Sequence, residues 1–461
     1  MKKYDFVIVG SGSGGSTAAI LAAQRKSSVA LIERNQIGGV NLHWGCIPVK
    51  SLVASAKMLL HARHGEDYGV TIPHVSASLA TWVNRQRLVI AKLAEELDRL
   101  LHRNGVEVLR GTASFESPNI LKVHHNGHEE MIEGKKIILA TGSHATSFPH
   151  IEEEARPLTG TSNDFVHLTT LPPRLLIVGG GYIGCELCGV YSTLGAKITI
   201  VEAGAHLLPE IEPEAGQYLQ GKFEQAGVRV LLNSRVEKIT YDANASRAVA
   251  HLEGGALLQE EKILLSIGRH PNIDTLGLDR VSIAHGRAID VNEHLQTNLR
   301  HVYAIGDVNG RSLLSHSAAA QAEVAVSHAL GDTSSMDFKH IPFCVLTNPE
   351  ITSVGLSENT ALEMGLRIRV GRCPFRNVGR ALAMGELDGF VKLIAEEDTG
   401  RLLGGLIIGS HASELIAQVT LALKLEATVQ QLARSVCARP TLSEAIQEAA
   451  RRIVSGPLPS V

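Results

Sequence analysis

The stretch Asp5-Phe6-Val7-Ile8-Val9-Gly10-Ser11-Gly12-Ser13-Gly14-Gly15 decides the fold of this chain. An apolar run rich in β-branched residues predicts a buried strand, and a glycine turn follows it at once. Gly10, Gly12 and Gly15 have the spacing G-x-G-x-x-G. The first glycine permits a tight turn, the second lets a pyrophosphate approach the backbone, and the third lets a helix pack on the strand. The stretch therefore predicts the phosphate-binding turn of a dinucleotide site.

The residues after this turn complete a strand–helix–strand pattern. Ser16–Lys26 has the Ala, Leu and Ile spacing of a helix, and Ser28–Ile32 is a second apolar strand that ends at Glu33. We expect the helix N-terminus to direct unpaired N–H groups at the phosphates. Glu33 stands 23 residues after Gly10, where a carboxylate can accept hydrogen bonds from a ribose diol.

A second copy of the pattern begins near residue 174. It has a strand, three glycines, a helix and a second strand: Leu175–Val178, Gly179, Gly181, Gly184, Ile183–Leu194 and Lys197–Val201. Glu202 ends the second strand, again 23 residues after the first glycine. One glycine motif alone is a weak signal, whereas two complete copies predict two dinucleotide-binding domains.

Glu202 also bears on the choice of cofactor at the second site. A carboxylate at this position favours the free 2′-hydroxyl of NAD, whereas NADP sites usually place an arginine near the extra phosphate. The residues that follow, Ala203-Gly204-Ala205-His206, contain neither Arg nor Lys. The sequence therefore predicts NAD(H) in preference to NADP(H).

Length and charge limit the architecture and the partners. A chain of 461 residues is too long for one core, and about three domains are expected. The net charge of −3 argues against a nucleic acid or a membrane surface held by bulk charge. No apolar run approaches the ~20 residues of a membrane span. With six irregularly spaced cysteines and no pattern of an export signal, we expect a cytoplasmic protein.

The segment between the two copies carries a family resemblance. Ile37-Gly38-Gly39-Val40-Asn41-Leu42-His43-Trp44-Gly45-Cys46-Ile47-Pro48-Val49-Lys50 closely resembles the active-site segment of the pyridine nucleotide–disulfide oxidoreductases, which include dihydrolipoamide dehydrogenase, glutathione reductase and mercuric reductase. Further motifs follow in the family's order: Ala140-Thr141-Gly142-Ser143, Leu265–Asn272 with Gly268, Val302–Asp307 with Gly306, Thr347–Glu350 and Pro440–Glu444. The resemblance therefore extends over the full length of the chain.

The resemblance implies an α/β protein with two Rossmann-like domains and an α+β dimerisation domain. FAD would bind to residues 1–150 and 275–338, NAD(H) to the inserted residues 151–274, and residues 339–461 would form a homodimer. Thr141 and Gly142 would belong to the flavin site, where Asp307 would hold the ribityl chain. In the family, the dimerisation domain of one subunit completes the active site of the other.

Two positions depart from the family's dithiol chemistry. Disulfide reductases of this group use two cysteines in C-x-x-x-x-C, but here Asn41 stands at the first position and only Cys46 remains. Disulfide exchange requires a thiolate, which an amide cannot supply. The family's acid/base histidine is replaced by Arg439, while its partner Glu444 is retained. An arginine with a pKa above ~12 does not accept a proton near neutral pH. We therefore predict no disulfide reductase activity.

Other family positions are kept. Lys50 and Glu186 match a pair beside the flavin, where a positive charge would stabilise the reduced ring. Cys46 is expected to be a thiolate, because the flavin edge and the start of the following helix would both favour the charged form. It could donate charge to the flavin, form a sulfenic acid or only fill space. His43-Trp44-Gly45 also resembles the soluble pyridine nucleotide transhydrogenase.

Three further features have competing interpretations. Cys185 and Cys188 form C-x-x-C, which we interpret as helix packing and not as a dithiol or a metal site. Arg439 could bind an anionic acceptor, although an ion pair with Glu444 is the preferred interpretation. His43 and His316 could line the flavin site.

Three functional hypotheses result. The first is an NADH-dependent flavin oxidoreductase that passes electrons to a small-molecule acceptor such as a quinone, dioxygen or a second nicotinamide. The second keeps thiol chemistry, either through Cys46 alone as in a reductase or peroxidase, or in a dihydrolipoamide-dehydrogenase-like enzyme. The third is a flavin-binding redox sensor with little turnover, which the intact nicotinamide motif disfavours.

Overall fold

The N-terminal half of the chain forms a sheet covered by helices. The computed structural model describes residues 1–455. Its first elements are β1 (Lys2–Val9), α1 (Ser13–Gln24), β2 (Val29–Glu33), α2 (Gly39–His43), α3 (Cys46–Arg63), α4 (Leu79–Arg103), β3 (Glu107–Arg110), β4 (Thr112–Ser117), β5 (Ile120–His125), β6 (His128–Leu139) and β7 (Ser143–Ala145). Strands β1, β2, β3 and the end of β6 run parallel, and β4, β5 and the start of β6 form an antiparallel meander.

A second parallel sheet follows. Its elements are β8 (Thr159–Thr161), α5 (Ser162–Phe165), β9 (Arg174–Val178), α6 (Tyr182–Thr193), β10 (Lys197–Val201), α7 (Pro213–Gln225), β11 (Arg229–Leu231), β12 (Val236–Asp242), β13 (Arg247–Leu252), β14 (Leu257–Glu260), β15 (Lys262–Leu265) and β16 (Arg269–Pro271). The parallel order is β11-β10-β9-β15-β8, and β12, β13 and β14 form a separate antiparallel sheet.

The chain then returns to the first sheet before it builds a third. Strand β17 (Val302–Ala304) pairs in parallel with the end of β6, and α8 (Ser315–Ala329) packs on α1. The remaining elements are β18 (Phe343–Val345), β19 (Glu350–Gly355), α9 (Glu358–Glu363), β20 (Ile368–Pro374), α10 (Gly379–Met384), β21 (Phe390–Glu396), β22 (Leu402–Gly409), α11 (Ala412–Lys424), α12 (Val429–Arg434) and α13 (Glu444–Ser455). The antiparallel order of this sheet is β18-β19-β22-β21-β20.

The predicted α/β class is confirmed, and the predicted elements of both nucleotide-binding copies are present. The boundaries move by a few residues: α1 begins at Ser13 and α6 at Tyr182, directly after the second glycine of each turn. Each helix therefore includes the third glycine, whose missing side chain allows contact with the first. Central strands such as Leu175–Val178 are buried on both faces, as expected of parallel strands between helix layers.

Candidate functional site

A cavity of about 340 Å³ lies where β1, β2, β6 and β17 end. This is the usual position of ligand sites in parallel sheets, because the loops at the carboxyl ends of the strands converge there. Ten of the residues singled out in the sequence line it: Gly10, Gly12, Glu33, Cys46, Lys50, Thr141, Gly142, Glu186, Gly306 and Asp307. The cavity is therefore lined by residues that precede the second sheet in the chain and by residues that follow it, near β17.

The first glycine turn has the geometry that its sequence predicts. Gly10 has a φ of +100°, and a Cβ atom there would clash with the carbonyl oxygen of Ala140. A Cβ on Gly15 would clash with the carbonyl oxygen of Gly10, so the third glycine permits the contact between helix and turn. A Cβ on Gly12 would meet no atom within 4 Å, and Gly12 lines the cavity. The backbone at Gly12 is thus open to an approaching phosphate.

Glu33 is buried at the edge of this cavity and held by three donors. Its Oε2 accepts hydrogen bonds from Ser11 N at 2.9 Å and Ser11 Oγ at 2.6 Å, and its Oε1 accepts one from Asn35 N at 2.7 Å. Each carboxylate oxygen has more than one lone pair. Glu33 can therefore accept a further hydrogen bond from a ribose hydroxyl.

Asp307 belongs to a polar network on another side of the cavity. Its Oδ2 accepts a hydrogen bond from Ser143 Oγ at 2.5 Å, and Ser143 in turn accepts bonds from Arg269 at Oγ and at its carbonyl oxygen, both at 2.8 Å. Burial raises the pKa of Asp307, and Ser143 and Arg269 partly oppose this shift. Sequence reasoning did not assign roles to Ser143 or Arg269, although both lie within the quoted motifs.

Lys50 and Glu186 form an ion pair beside the thiol, in which the glutamate is buried and the lysine is partly exposed. Lys50 Nζ lies 2.8 Å from both carboxylate oxygens of Glu186, which is 3% exposed. Glu186 Oε1 also accepts a hydrogen bond from Leu346 N at 2.8 Å. Burial is the largest single influence and would lower the pKa of Lys50, but the charge and hydrogen bond of Glu186 together with the nearby thiols outweigh it, and the pKa is raised. Lys50 therefore stays cationic in the neutral range.

Cys46 is the first residue of α3, as its position after Gly45 predicts. Burial raises the pKa of its thiol, although Lys50 acts in the opposite direction. The protein's own groups therefore favour the thiol. The thiolate predicted from sequence relied on the flavin edge as well as the helix start, and it stays a prediction. Asn41 lines the same cavity, so the position of the missing cysteine does face the site.

Arg439 and Glu444 form an ion pair outside this cavity. Arg439 Nε lies 2.9 Å from Glu444 Oε2, and the arginine side chain is 67% exposed. Glu444 Oε1 also accepts a hydrogen bond from Thr441 N. The ion pair preferred from sequence is thus present, and it leaves most of the arginine side chain exposed.

The second glycine turn repeats the first. Gly179 has a φ of +102°, and a Cβ on Gly184 would clash with the Gly179 carbonyl oxygen. Glu202 accepts hydrogen bonds from Gly180 N and Gly204 N, both at 2.6 Å. These donors occupy the same positions relative to the turn and the strand end as Ser11 and Asn35 do in the first copy. The two acidic residues are therefore oriented alike.

Two residues near the turns were missed from the sequence. Glu210 Oε1 lies 3.2 Å from the position of a Cβ on Gly181, and desolvation together with the charge of Glu202 raises the pKa of Glu210. Tyr182 lines the main cavity and makes an edge-on contact with Phe343, with ring centroids 5.6 Å apart. The position of Tyr182 directly after Gly181 was the available signal for it.

The remaining residues singled out in the sequence make contacts within the protein. Gly268 has a φ of +108°, and its carbonyl oxygen accepts a backbone hydrogen bond from Thr146 N. His43 is buried with Nε2 2.8 Å from the Ile37 carbonyl oxygen, and His316 Nε2 contacts the Pro342 carbonyl oxygen. Neither histidine lines the cavity, and a role for them at the flavin stays a prediction. Cys185 and Cys188 are fully buried in α6, as the helix-packing interpretation predicts. Within residues 1–455, no group of side chains is placed to hold a metal ion.

Comparison with known proteins identifies the family. Residues 4–329 match the pyridine nucleotide-disulphide oxidoreductase family, and residues 341–450 match the dimerisation domain of that family. The chain belongs to this family. It is therefore an oxidoreductase that depends on FAD and a pyridine nucleotide. Within the described part of the chain, no helix combines the length and apolarity needed to cross a membrane.

Three relatives illustrate the similarity. The chain is 36% identical to a dihydrolipoyl dehydrogenase of Chlamydia pneumoniae over 99% of this chain and 98% of the relative. The structure of LpdA from Mycobacterium tuberculosis has a TM-score of 0.91 at 29% identity, covering 98% of this chain and 99% of that one. The HOCl-induced flavoprotein disulfide reductase RclA from Escherichia coli has a TM-score of 0.89 at 28% identity, covering 98% and 100%.

Proposed function

We propose that this family member is an NADH:acceptor oxidoreductase whose physiological acceptor is not a disulfide. One observation carries the proposal: Asn41 lines the cavity with Cys46 at the position where the family has its second thiol. A carboxamide cannot form a mixed disulfide. Arg439 supports the same conclusion, because it replaces the family's proton-accepting histidine with a permanent cation.

The residues of the main cavity fit FAD. The turn at Gly10–Gly15 suits its pyrophosphate, Glu33 suits the adenosine ribose, and Asp307 with Ser143 suits the ribityl hydroxyls. Bound FAD supplies the capacity to accept a hydride from a nicotinamide and to pass electrons to an acceptor. The residues of the chain supply orientation and charge for this chemistry.

Lys50 has the central electrostatic role. Its ammonium group is held in the cavity by Glu186, at 2.8 Å from both carboxylate oxygens. A cation that is partly shielded from water stabilises negative charge that develops nearby more strongly than it would in water. Leu346 N fixes the carboxylate in turn, so the position of Lys50 depends on both α6 and the third sheet.

NAD(H) is the nicotinamide we propose for the second turn. Glu202 is oriented by Gly180 N and Gly204 N, as Glu33 is by its two neighbours in the first copy. A fixed carboxylate can accept hydrogen bonds from the ribose diol of NAD and repels a 2′-phosphate.

We also propose the division into FAD-binding residues 1–150 and 275–338, NAD-binding residues 151–274 and a dimerisation domain at 339–461. The pairing of β17 with β6 and the match of residues 341–450 to the dimerisation domain support it. We propose a homodimer through that domain and a cytoplasmic location, for which the free thiols of all six cysteines are suited.

An anaerobic titration tests the main proposal. NADH should bleach the flavin absorbance rapidly, and menadione but not lipoamide should restore it. The matched gain-of-function variant is Asn41→Cys combined with Arg439→His, which should create lipoamide turnover by supplying the thiol and the base, with a rise of roughly 100-fold over background. Fast reoxidation of the unmodified protein by lipoamide would show that a dihydrolipoamide-dehydrogenase-like activity remains.

The alternative is a thiol-based reductase or peroxidase that uses Cys46 alone. Its supporting observation is that Cys46 is exposed to the cavity beside Lys50, which would stabilise a thiolate once formed. If the enzyme is thiol-based, Cys46→Ser should abolish peroxide or disulfide turnover. If it is the proposed NADH:acceptor oxidoreductase, Cys46→Ser should leave quinone reduction intact. Slow flavin reduction by NADH would favour the third possibility, a redox sensor.

A further inference from the structure

The third sheet buries a lysine that the chemistry above does not use. Lys392 on β21 is 1% exposed, and its Nζ lies 2.5 Å from Glu212 Oε2 and 2.8 Å from Glu214 Oε2. Glu358 Oε2 lies 3.6 Å away. An isolated buried ammonium is strongly disfavoured, so Lys392 depends on these carboxylates.

A second cation lies beside it. Arg372 on β20 is the direct cross-strand partner of Lys392. It contacts both carboxylate oxygens of Glu214 and lies 3.7 Å from Glu358 Oε2. Two cations directly opposite one another on a sheet repel each other. The carboxylates of Glu212 and Glu214 offset this repulsion. The two cations therefore bind the start of α7, where both glutamates lie.

The start of α7 is a suitable place for these carboxylates. Glu212 precedes the helix and Glu214 is in its first turn, where the positive end of the helix dipole stabilises negative charge. The pKa of Glu214 is lowered: burial would raise it, but the hydrogen bonds from Arg372 and Lys392 outweigh burial. The third sheet thus holds the N-terminus of α7 through ion pairs between its own cations and the carboxylates of the helix start.

The same end of α7 is connected to the nicotinamide turn. Residues 203–212 join Glu202 to α7, and within them Leu208 N donates a hydrogen bond to the Gly180 carbonyl oxygen at 2.9 Å. Leu207 packs between the turn and the helix: a Cβ on Gly180 would approach its Cδ2 to 2.6 Å, and one on Gly216 would clash with its carbonyl oxygen. A displacement of α7 would therefore displace the turn.

We propose that Lys392 is a positioning residue for nicotinamide binding, acting through Glu212 on residues 203–212 and so on the turn at Gly179–Gly184. The lysine touches no cofactor; it fixes the loop that forms one wall of the dinucleotide site. Loss of its charge leaves Glu212, Glu214 and Glu358 facing one remaining cation, and their mutual repulsion moves the start of α7. The inference rests on the proposed binding of NADH at this turn.

The test compares Lys392→Met with Lys222→Met in the FAD-loaded protein. Lys222 Nζ also links α7 to the segment before β21, since it lies 2.6 Å from Asp388 Oδ1. This ion pair is at the other end of the helix and is partly exposed. For Lys392→Met we expect the Kd and KM for NADH to rise by about tenfold, a change of about 1.4 kcal/mol. FAD content, kcat at saturating NADH and reoxidation of the reduced protein by menadione should stay within about threefold, and Lys222→Met should keep the original KM within about twofold.

Specific outcomes would overturn the inference. A folded, FAD-loaded Lys392→Met protein with unchanged NADH affinity would do so, as would equal losses in NADH binding and menadione reoxidation, which indicate general destabilisation. If Lys392→Met does not fold, Glu212→Gln is tested in its place. We expect this variant to raise the KM for NADH, and an unchanged KM contradicts the inference. Failure of the proposed NADH binding is distinct, since the unmodified protein would then not be reduced by NADH, and reoxidation by lipoamide would contradict only the proposed acceptor.

Discussion

Lys50 Nζ lies 2.8 Å from both carboxylate oxygens of Glu186, although 136 residues separate the two in sequence. The lysine comes from α3 and the glutamate from α6, so the pair joins the two nucleotide-binding parts of the molecule. Because the glutamate is almost fully buried, each charge depends on the other. The first prediction follows from this dependence.

Glu186→Gln should slow flavin reduction by NADH by roughly 10–100-fold. Without the carboxylate, burial would lower the pKa of Lys50, and the ammonium would lose its fixed position. In the unmodified protein the raised pKa keeps Lys50 protonated, so the reduction rate should be flat between pH 6 and 9, whereas the variant's rate should fall as pH rises. Stopped-flow measurements across pH check this. Glu260→Gln, which breaks the buried-carboxylate pair with Arg174 elsewhere, is the control and should leave the rate unchanged.

Cys46 should react slowly with iodoacetamide near neutral pH. Its pKa lies above the usual value of 9.0 because burial disfavours the thiolate, and alkylation requires the thiolate. The rate of alkylation should therefore still be rising at pH 9, as followed by mass spectrometry of the peptide that contains Cys46. A rate that is already constant at pH 7 would show that a thiolate is present and that bound FAD reverses the effect of burial.

Glu202→Arg should shift the cofactor preference toward NADPH. The substitution removes the carboxylate oriented by Gly180 N and Gly204 N and places a cation where a 2′-phosphate would lie. We expect the ratio of kcat/KM for NADH over NADPH to fall by at least about tenfold. Glu224→Arg, on the exposed face of α7, makes the same charge change away from the turn and should leave the ratio unaltered. An unchanged ratio in Glu202→Arg would contradict the assignment of Glu202 to the ribose.

Glu210→Gln should tighten NADH binding. The Glu210 carboxylate approaches Gly181 at the N-terminus of α6, where the pyrophosphate is expected, so its charge repels the ligand. The KM for NADH should fall by about threefold at pH 8. Because the pKa of Glu210 is raised, lowering the pH protonates the same group in the unmodified protein. The difference between the two proteins should therefore shrink as pH falls, and a constant difference would contradict this account.

Both glycine turns could be predicted from sequence because their requirements are local. The clash of a side chain at Gly10 or Gly179 with the neighbouring strand end follows from the spacing of one short motif. The acidic residue at each second strand could be placed for the same reason, since a strand, a helix and a strand fix its distance along the chain.

The environment of Cys46 was not predictable from its motif. Sequence indicated the helix start, which is present, but the burial that raises the pKa of its thiol depends on the tertiary packing around it. Asp307 is a similar case: its motif indicated a ligand contact, whereas the bonds from Ser143 and from Arg269 to Ser143 depend on the antiparallel pairing of β7 with β16, which are remote in sequence.

The sequence by itself determined the family, the two nucleotide-binding turns and the loss of the second thiol at Asn41, because each is written in contiguous residues with fixed spacing. The motifs already paired Lys50 with Glu186, and the structure places them in contact. Only the tertiary structure showed that Lys392 meets Glu212. The physical reason is that a buried charge is tolerated only beside an opposite charge, and its partner is chosen by the packing of distant elements.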